Sequence, residues 1–432
     1  MRRMGPKGMG TRGKGSPAYR TPRSAGEPWQ GKIERLTWGG LGLAHSADGR
    51  LILLRAPLAL FPGEEVLADV HWKARHGEGK VKTWVARDPR RVAAGCAVAA
   101  QCGGCDLWEA GPATAELKRQ MVEDLLHRAL PEAPEWSWVP APADARRHRI
   151  QLHWDGKLLG FHRRGSNQIV EVAACPAAAD ALSAAIPRFR EALLGKTLPT
   201  RPQRWELSAN TPATKLFATD EKGRTWILEP DGFQRSDESA EQVLDGLRLR
   251  HRPGGFFQAC PAWAWTAFQE LLVGWDLKGG TLFDLYGGVG LFSAMLKDRF
   301  QRFELVESDE AAVGFAKKNL SLLKLDFEAQ AGDVEAWVAA RLGEGGAGLG
   351  GSGDVILLDP PREGLSPELC ASLQGTKAGR LVLVGCDGAA FARDAKRLGP
   401  AWKLVKLAAL DLFPLTHHVE CVGLFEPSGD SR

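Results

Sequence analysis

The pattern of apolar and polar positions changes twice along the chain and predicts three folded units. In residues 28–88 short apolar runs are separated by Gly, Asp-Gly and Pro-Gly turns, which is typical of a small antiparallel β-barrel. Residues 89–255 combine one helical periodicity, at 114–130, with short strand-like runs. In residues 256–432 apolar strands alternate with helical stretches, so we expect a doubly wound parallel sheet. The strand-like runs of the middle part are 149–154, 158–163 and 168–172.

The beginning of the chain has no such pattern. Residues 1–27 are rich in Gly, Pro, Arg and Lys, so we expect a disordered basic tail. The tail has no apolar run of the kind that a secretory signal needs. Elsewhere no stretch approaches the roughly 18 consecutive apolar residues that a membrane span requires. We therefore expect a cytoplasmic protein with no membrane partner.

The charges are unevenly distributed, although the formal net charge of the 432 residues is only +4. Residues 1–27 hold 7 Lys and Arg against 1 acidic residue, whereas residues 257–432 hold 17 against 23. A basic front part joined to an acidic back part indicates that the front part binds a polyanion such as nucleic acid. A solubilising tail with otherwise scattered charges would produce the same numbers.

A Gly-rich turn in the last part indicates a nucleotide-type binding site. The apolar strand 281–286 is followed by Gly287, Gly288 and Gly290, and then by a helical stretch. Nineteen residues beyond Gly288 the next strand ends on Glu307, whose carboxylate can accept hydrogen bonds from both hydroxyls of a ribose. This arrangement could serve a nicotinamide dinucleotide or S-adenosylmethionine.

A cysteine at a later strand end favours the second cofactor. The apolar run Leu-Val-Leu-Val-Gly leads into Cys386, and open α/β sheets bind their ligands at such strand ends. Hydride transfer has no obvious need of a thiol there, whereas methylation of an unreactive carbon does. Addition of a thiolate to C6 of uracil makes C5 nucleophilic, and a base must later remove the C5 proton. Cys386 suits the nucleophile, and Glu420 suits the base.

Four further cysteines have a spacing that metal sites use. The chain has 8 cysteines, too few for a disulfide scaffold, so clustered cysteines indicate metal binding or chemistry. Cys96, Cys102 and Cys105 follow one another closely, and Cys175 can supply a fourth ligand. Four thiolates suit a tetrahedral zinc ion or a cubane iron–sulfur cluster, and the spacing does not separate the two. A redox dithiol at Cys102 and Cys105, or four unliganded thiols, are the alternatives.

With these motifs the sequence resembles the bacterial RNA uracil-5-methyltransferases, in particular the iron–sulfur enzymes that form 5-methyluridine in 23S ribosomal RNA. The segment LALFPGEEV resembles part of a TRAM domain, and GFHRRGSNQIVEVAACP resembles the central-domain signature that ends in the fourth cluster cysteine. The resemblance implies a multidomain α/β and β protein. In it a class I S-adenosylmethionine methyltransferase sheet (256–432) follows a TRAM, OB-like RNA-binding barrel (28–88) and a β-rich central iron–sulfur domain (89–255).

The resemblance also implies roles for individual residues. The four clustered cysteines would hold a 4Fe-4S cluster, Cys386 would be the nucleophile and Glu420 the base. Arg147 or Arg149 would lie near a uridine flipped out of the RNA. The residues expected to contact S-adenosylmethionine are Gln258, Tyr286, Glu307, Asp359 and, as a further candidate, Asp333.

The chain departs from the family pattern beside the nucleophile. It reads Gly385-Cys386-Asp387-Gly388 where the family usually has Ser-Cys-Asn-Pro, and Cys260 replaces an asparagine. If Asp387 lies close to the Cys386 sulfur, it should raise the pKa of the thiol above the free value of about 8.5.

We therefore expect a monomeric enzyme that methylates C5 of a uridine in RNA, with 23S ribosomal RNA as the first choice of substrate. The same reaction on transfer RNA is the nearest alternative. A non-catalytic RNA-binding relative is another, because the motif around Cys386 is altered. An amino-methylating enzyme is disfavoured, since Arg362 rather than an aromatic residue follows Asp359-Pro360-Pro361.

Overall fold

The structure is a computed structural model, and it describes residues 26–343 and 349–429. The predicted basic tail therefore lies outside the described residues, apart from Gly26 and Glu27, and Glu27 begins the first strand. Within the described ranges no helix is both long enough and apolar enough to cross a bilayer.

The N-terminal part is a closed β-barrel. Its strands are β1 (Glu27–Lys32), β2 (Arg35–Leu36), β3 (Gly42–His45), β4 (Leu51–Arg55), β5 (Glu65–Trp72) and β6 (Gly77–Ala86). They are hydrogen-bonded in the order β1-β5-β6-β4-β3-β2, and only Ile33 and Glu34 separate β1 from β2. These two strands act as one bent strand that closes the ring.

The predicted antiparallel pairing was wrong in one place, because β4 and β6 run parallel. A closed ring of five strands cannot alternate in direction all the way round, so one neighbouring pair must be parallel. The interior follows from the period of two along each strand. Ile52 and Leu54 on β4 and Val66, Ala68 and Val70 on β5 all point inward and are buried.

A long helix joins the barrel to the rest of the molecule. A 3-10 helix (Trp108–Ala113) leads into α1 (Thr114–Ala129), and β7 (Trp136–Val139) follows. Leu117 and Met121 pack into the barrel core, whereas Val122 and Leu126 pack into the core of the C-terminal part. Because residues four apart share a helix face, α1 presents one apolar face to each unit.

The central part is an antiparallel sheet of seven strands covered by one helix. The strands are β8 (Arg149–Trp154), β9 (Leu159–His162), β10 (Ile169–Glu171), β11 (Gln203–Ala209), β12 (Leu216–Asp220), β13 (Thr225–Glu229) and β14 (Gly232–Ser236). Their order is β10-β9-β8-β11-β12-β13-β14. Helix α2 (Asp180–Leu194) lies on the sheet, with Phe189 packed edge-on against Trp205 at 5.2 Å between ring centroids. A hairpin of β15 (Ala240–Leu244) and β16 (Leu247–His251) completes this part.

The C-terminal part is a doubly wound α/β sheet, as predicted. Its helices are α3 (Pro261–Gly274), α4 (Leu291–Met295), α5 (Glu310–Leu322), α6 (Val334–Gly343), α7 (Pro367–Gln374) and α8 (Gly388–Leu398). Its strands are β17 (Gly279–Leu285), β18 (Phe300–Glu307), β19 (Phe327–Ala331), β20 (Val355–Leu358), β21 (Arg380–Gly385), β22 (Trp402–Leu410) and β23 (Glu420–Pro427).

The strand order of this sheet determines where ligands can bind. The order is β19-β18-β17-β20-β21-β23-β22-β7, with β17 to β21 parallel and β23 antiparallel to β21. The direction of winding reverses between β17 and β20, and a crevice forms outside the carboxyl ends of the strands at such a point. β7 pairs in parallel with β22, so residues 136–139 belong to this sheet although they lie in the range predicted for the central domain.

Candidate active site

The sheet places Cys386 beside Glu420. Cys386 follows the last residue of β21, and Glu420 is the first residue of β23. Because β21 and β23 are antiparallel, with Gly385 opposite Cys421, the end of one strand meets the beginning of the other. Cys386 is half-buried, and Glu420 is buried. Residues 34 positions apart in the sequence are thus neighbours at the crevice.

Asp387 is not among the groups that shift the pKa of the Cys386 thiol most, although it is the next residue in the sequence. Its carboxylate accepts a hydrogen bond of 2.9 Å from the Ala390 amide and so caps the N-terminus of α8. The pKa of the Cys386 thiol is nevertheless raised to about 11, first by burial and then by the charge of Glu420. The Arg362 guanidinium opposes this effect. The acid that disfavours the thiolate most is therefore the candidate base.

Four acids lie in or beside the crevice, and their negative charges disfavour ionisation of Glu420 and Asp359. Burial raises the pKa of Glu420 well above its ordinary value, and the charge of Asp359 raises it further, while Arg362 lowers it. Burial and the charges of Asp284 and Glu307 raise the pKa of Asp359 to about 7. Like charges that are close together in a poorly solvated place cannot all ionise. Burial and the charge of Asp359 therefore both disfavour ionisation of Glu420.

The Gly-rich turn has the strained backbone that its sequence predicts. Gly288 and Gly290 have φ of +55° and +85°, and Tyr286, which is not a glycine, has φ of +63°. The Glu307 carboxylate accepts hydrogen bonds from the Gly288 amide at 3.2 Å and the Asp309 amide at 2.9 Å. These bonds tie the ends of β17 and β18 together at the edge of the crevice.

One cavity of about 910 Å³ collects nearly all the predicted residues. It extends from the Gly-rich turn past Cys386 and Glu420 to the four clustered cysteines. Asp333 does not line it, and its carboxylate accepts a hydrogen bond from the Ala336 amide in the first turn of α6. The predicted residues that line the cavity are Cys96, Cys102, Cys105, Arg147, Arg149, Cys175, Gln258, Tyr286, Glu307, Asp359, Cys386 and Glu420.

Arg147 and Arg149 differ in how fully the protein itself satisfies their hydrogen-bond donors. Arg149 donates to Glu206 at 2.5 Å and to the carbonyls of Gly255 and Phe257 at 3.1 and 3.0 Å. The Nε of Arg147 is buried and has no hydrogen-bond partner among the described residues. Of the two, Arg147 therefore has more capacity to bind a ligand.

The four cysteines form one wall of the cavity and are all free thiols. Burial raises the pKa of Cys105 to about 11, and the charges of Cys175 and Cys102 add to this effect. The positive charge of Arg147 lowers the pKa values of both Cys105 and Cys175. Within residues 26–343 and 349–429 no group of three or more His, Cys, Asp or Glu side chains is arranged to hold a metal ion.

Sequence reasoning missed two residues of this crevice. Asp284 is completely buried, where it accepts hydrogen bonds from the Ser293 amide at 3.1 Å and from its hydroxyl at 2.6 Å. An acid inside an otherwise apolar strand, three positions before the first glycine of the Gly-rich turn, is the signal that could have found it. Arg362 lies close enough to influence both Cys386 and Glu420, and its position directly after Asp359-Pro360-Pro361 is the corresponding signal.

Comparisons with known proteins agree with this geometry. Residues 352–427 match the family model described as tRNA (Uracil-5-)-methyltransferase. An uncharacterized RNA methyltransferase of Streptomyces avermitilis is 31% identical over 448 residues, which cover 93% of this chain and 99% of the relative. The 23S rRNA (uracil(1939)-C(5))-methyltransferase RlmD of Pseudomonas fluorescens is 29% identical, over 96% of this chain and 95% of that protein.

A solved structure has the same fold. It is the tRNA (uracil-54, C5)-methyltransferase of Pyrococcus abyssi in complex with S-adenosyl-L-homocysteine, with a TM-score of 0.70 and 23% identity, covering 92% of this chain and 100% of that one. The chain belongs to the RNA uracil-5-methyltransferase family. It is an S-adenosylmethionine-dependent enzyme that methylates C5 of uracil in RNA.

Proposed function

We propose that this enzyme methylates one flipped-out uridine of 23S ribosomal RNA through a covalent adduct between Cys386 and C6 of the uracil. The observation that carries the proposal is the meeting of Cys386 and Glu420 at adjoining strand ends, in a cavity that also contains the Gly-rich turn. The thiol and the acid are the two groups that this reaction needs, and the turn is where a nucleoside cofactor binds in such sheets.

Cys386 acts first. The thiol loses its proton to solvent, the thiolate sulfur forms a bond to C6, and the C5=C6 electron pair moves into the ring, which makes C5 an enolate carbon. Because burial and Glu420 raise the pKa of the thiol to about 11, the thiolate needs a positive neighbour, and Arg362 is placed to supply it. C5 then takes the methyl group from the sulfonium of S-adenosylmethionine, which leaves as S-adenosylhomocysteine.

Glu420 acts last. C5 now carries both a methyl group and a hydrogen, and the carboxylate removes that proton. The electron pair of the C5–H bond reforms C5=C6, and the bond between C6 and the Cys386 sulfur breaks. Burial and Asp359 raise the pKa of Glu420, which makes its ionised form a stronger base than an exposed glutamate.

The cofactor would lie against the Gly-rich turn. We assign Gln258, Tyr286, Glu307 and Asp359 to its contacts, since all four line the cavity beside Cys386. Glu307 is at the end of β18, where a ribose of a bound nucleoside is held in this type of sheet. Asp333 has less support, because its carboxylate caps α6.

The four cysteines would hold a 4Fe-4S cluster. In support of this assignment, all four thiols lie along one wall of the cavity, and the charges of neighbouring cysteines raise the pKa values of Cys102, Cys105 and Cys175. Arg147 and Arg164 lie close enough to favour their ionised forms. Such a cluster would cross-link the segment around Cys102 to the segment around Cys175 and so shape the RNA-binding wall.

The barrel would bind RNA as a TRAM domain. Its connectivity, with one parallel pair in a ring of five strands, is that of oligonucleotide-binding barrels. Arg50 lies over the Trp72 ring at 3.8 Å, and Arg87 lies over the Trp84 ring at 4.9 Å. Aromatic and basic side chains in such pairs are suited to nucleobases and phosphates.

The choice of 23S ribosomal RNA rests on relatives that are named for it. Two of them, from Pseudomonas fluorescens and Shewanella amazonensis, are 29% and 28% identical over more than nine tenths of the chain. The alternative, transfer RNA, is supported by the description of the family model that matches residues 352–427. Methylation assays on transcripts of both RNAs, with mapping of 5-methyluridine, distinguish the two.

A covalent trap tests the chemistry. RNA in which 5-fluorouridine replaces uridine should form a stable adduct with the enzyme in the presence of S-adenosylmethionine, because a fluorine at C5 cannot be removed as a proton. Cys386→Ala should form none. Cys370→Ala is the matched control, since Cys370 is buried in α7 outside the cavity. An adduct in Cys386→Ala would assign the nucleophile to another residue. No adduct in the unaltered enzyme would reject the covalent mechanism and favour a non-catalytic RNA-binding protein.

A further inference from the structure

The loop that precedes Glu420 is held by residues outside the catalytic sheet. We call residues 411–419 the base loop, because they join β22 to β23 and Glu420 follows directly. Phe413, Thr416, His417 and His418 of this loop line the cavity. The position of the loop therefore affects both the candidate base and the wall that faces the substrate.

A buried lysine of α1 binds the base loop at three points. The Nζ of Lys118 donates to the Asp411 carboxylate at 2.6 Å, the Phe413 carbonyl at 2.9 Å and the His418 carbonyl at 3.0 Å. Lys118 is fully buried. Its three donors are thus all used on one loop, and they connect the residue after β22 to the residue two positions before Glu420.

The fold would not need an ion pair here for stability alone. Removing two charges from water costs several kcal/mol per ion, and apolar residues of similar volume often serve equally well. Leu117 and Met121, the neighbours of Lys118 on α1, already provide apolar packing against the barrel. What an apolar residue cannot supply is a set of hydrogen bonds to two loop carbonyls.

The cysteine segment holds the same loop from another side. The amides of Asp106 and Leu107 donate to the Leu415 carbonyl at 3.1 and 2.9 Å. The Asp106 carboxylate accepts a hydrogen bond from the His417 amide at 3.0 Å and also contacts the His417 ring. The base loop is therefore fastened at both ends and in its middle by residues 106–118.

We propose that Lys118 is a positioning residue for Glu420: its three hydrogen bonds hold the base loop so that the Glu420 carboxylate reaches the C5 proton of the methylated adduct. The proposal rests on the proposed function, in which Glu420 is the base. It makes a prediction about one step only. Loss of Lys118 should slow the release of methylated RNA and leave the earlier steps intact.

The experiment separates the steps with two RNAs and uses the full chain. The variants are Lys118→Met, which keeps the length of the side chain, and Lys118→Met with Asp411→Leu, which leaves no buried charge unpaired. Adduct formation on 5-fluorouridine RNA reports attack and methyl transfer, because no proton is removed. Decay of the adduct on unmodified RNA in a single turnover reports release. We expect both variants to form the first adduct at the wild-type rate and to release the second about 100-fold more slowly, the usual scale for a 1 Å misplacement.

Met121→Ala is the control for a purely structural effect, since Met121 is equally buried on α1 but packs into the barrel core. The proposal fails if a folded Lys118 variant releases RNA at the wild-type rate, if both adducts are affected alike, or if Met121→Ala shows the same selective defect. Rapid release by Glu420→Gln is a different result. It rejects Glu420 as the base and therefore the proposed function itself.

Discussion

Cys386 and Glu420 oppose each other's ionisation, and this shapes the chemistry at the scale of single residues. Both groups are poorly solvated, and a negative charge on Glu420 raises the pKa of the Cys386 thiol. A charged Glu420 therefore makes ionisation of the half-buried thiol harder. Arg362 is the positive charge that acts on both.

Alkylation of Cys386 should reflect this opposition. Because the pKa of the thiol is about 11, its reaction with iodoacetamide should increase about tenfold per pH unit from pH 7 to 9. Glu420→Gln removes a nearby negative charge, so it should lower the pKa and speed alkylation at any given pH. Mass spectrometry of the peptide that contains Cys386 measures both effects. A rate that does not change with pH in this range would contradict the raised pKa.

Glu420→Gln should also accumulate a protein–RNA adduct on unmodified RNA. The amide cannot accept the C5 proton, while the preceding attack and methyl transfer do not require it. Denaturing gels of the enzyme with labelled RNA and S-adenosylmethionine measure the adduct. Rapid turnover by this variant would assign the base to another group.

Asp284 should make the stability of the enzyme depend on pH. Burial raises its pKa to about 6, which corresponds to about 3 kcal/mol of unfolding free energy when compared with an exposed aspartate. Because the folded state binds this proton more tightly, the contribution is fully present below about pH 4 and is lost as pH rises through 6. Asp284→Asn should flatten this part of the profile. Melting temperatures between pH 4 and 8, with Asp237→Asn as an exposed-site control, provide the measurement.

At the scale of elements, the barrel and α1 pack against the N-terminus of α8, two residues after Cys386. A Cβ at Gly388 would lie 2.6 Å from Leu125 of α1 and 2.7 Å from the Trp38 ring of the barrel. The family pattern has a proline at the position of Gly388. In this chain the Trp38 side chain of the barrel occupies the space beside the glycine. The altered motif beside Cys386 is therefore matched to its surroundings.

Gly388→Ala should destabilise the protein by about 1–3 kcal/mol, because the added methyl group overlaps both neighbours. Trp38→Ala removes one of them, so the double variant should be more stable than the sum of the two changes predicts. Urea unfolding of the four proteins completes the cycle, and Cys386 alkylation reports on the loop. Simple additivity would show that Trp38 and Gly388 do not interact.

At the scale of the whole molecule, the central part and the catalytic sheet share one cavity, and residues 96–118 connect both of them to the barrel. Cys175→Ser should abolish the brown absorbance and the iron of the purified protein, since a cluster would lose one of four ligands. Binding of S-adenosylmethionine should persist, because the Gly-rich turn lies on separate strands. Iron analysis and calorimetry measure the two properties, with Cys370→Ala as the control. Unchanged iron content would show that the ligand set is wrong.

The sequence by itself determined those features that depend on local pattern. The periodicities predicted α1, the strands β8 to β10 and the alternation of the C-terminal part, because burial of one face imposes a repeat of 3.6 or 2. Strand-end positions predicted Cys386 and the Gly-rich turn, because parallel strands bring their carboxyl ends to one edge. No local pattern indicated that β7 joins the catalytic sheet or that one barrel pair is parallel.

Only the tertiary structure decided how distant charges act on one another. Asp387 is next to Cys386 in the chain, yet it caps α8, whereas Glu420 acts on the thiol from 34 residues away. In the sequence Lys118 is one polar position on a helix. In the folded protein it binds the base loop, whose contacting residues lie 293 to 300 positions further along the chain. Hydrogen bonds and charges act over a few ångströms in space, and the separation of two residues along the chain does not reveal that distance.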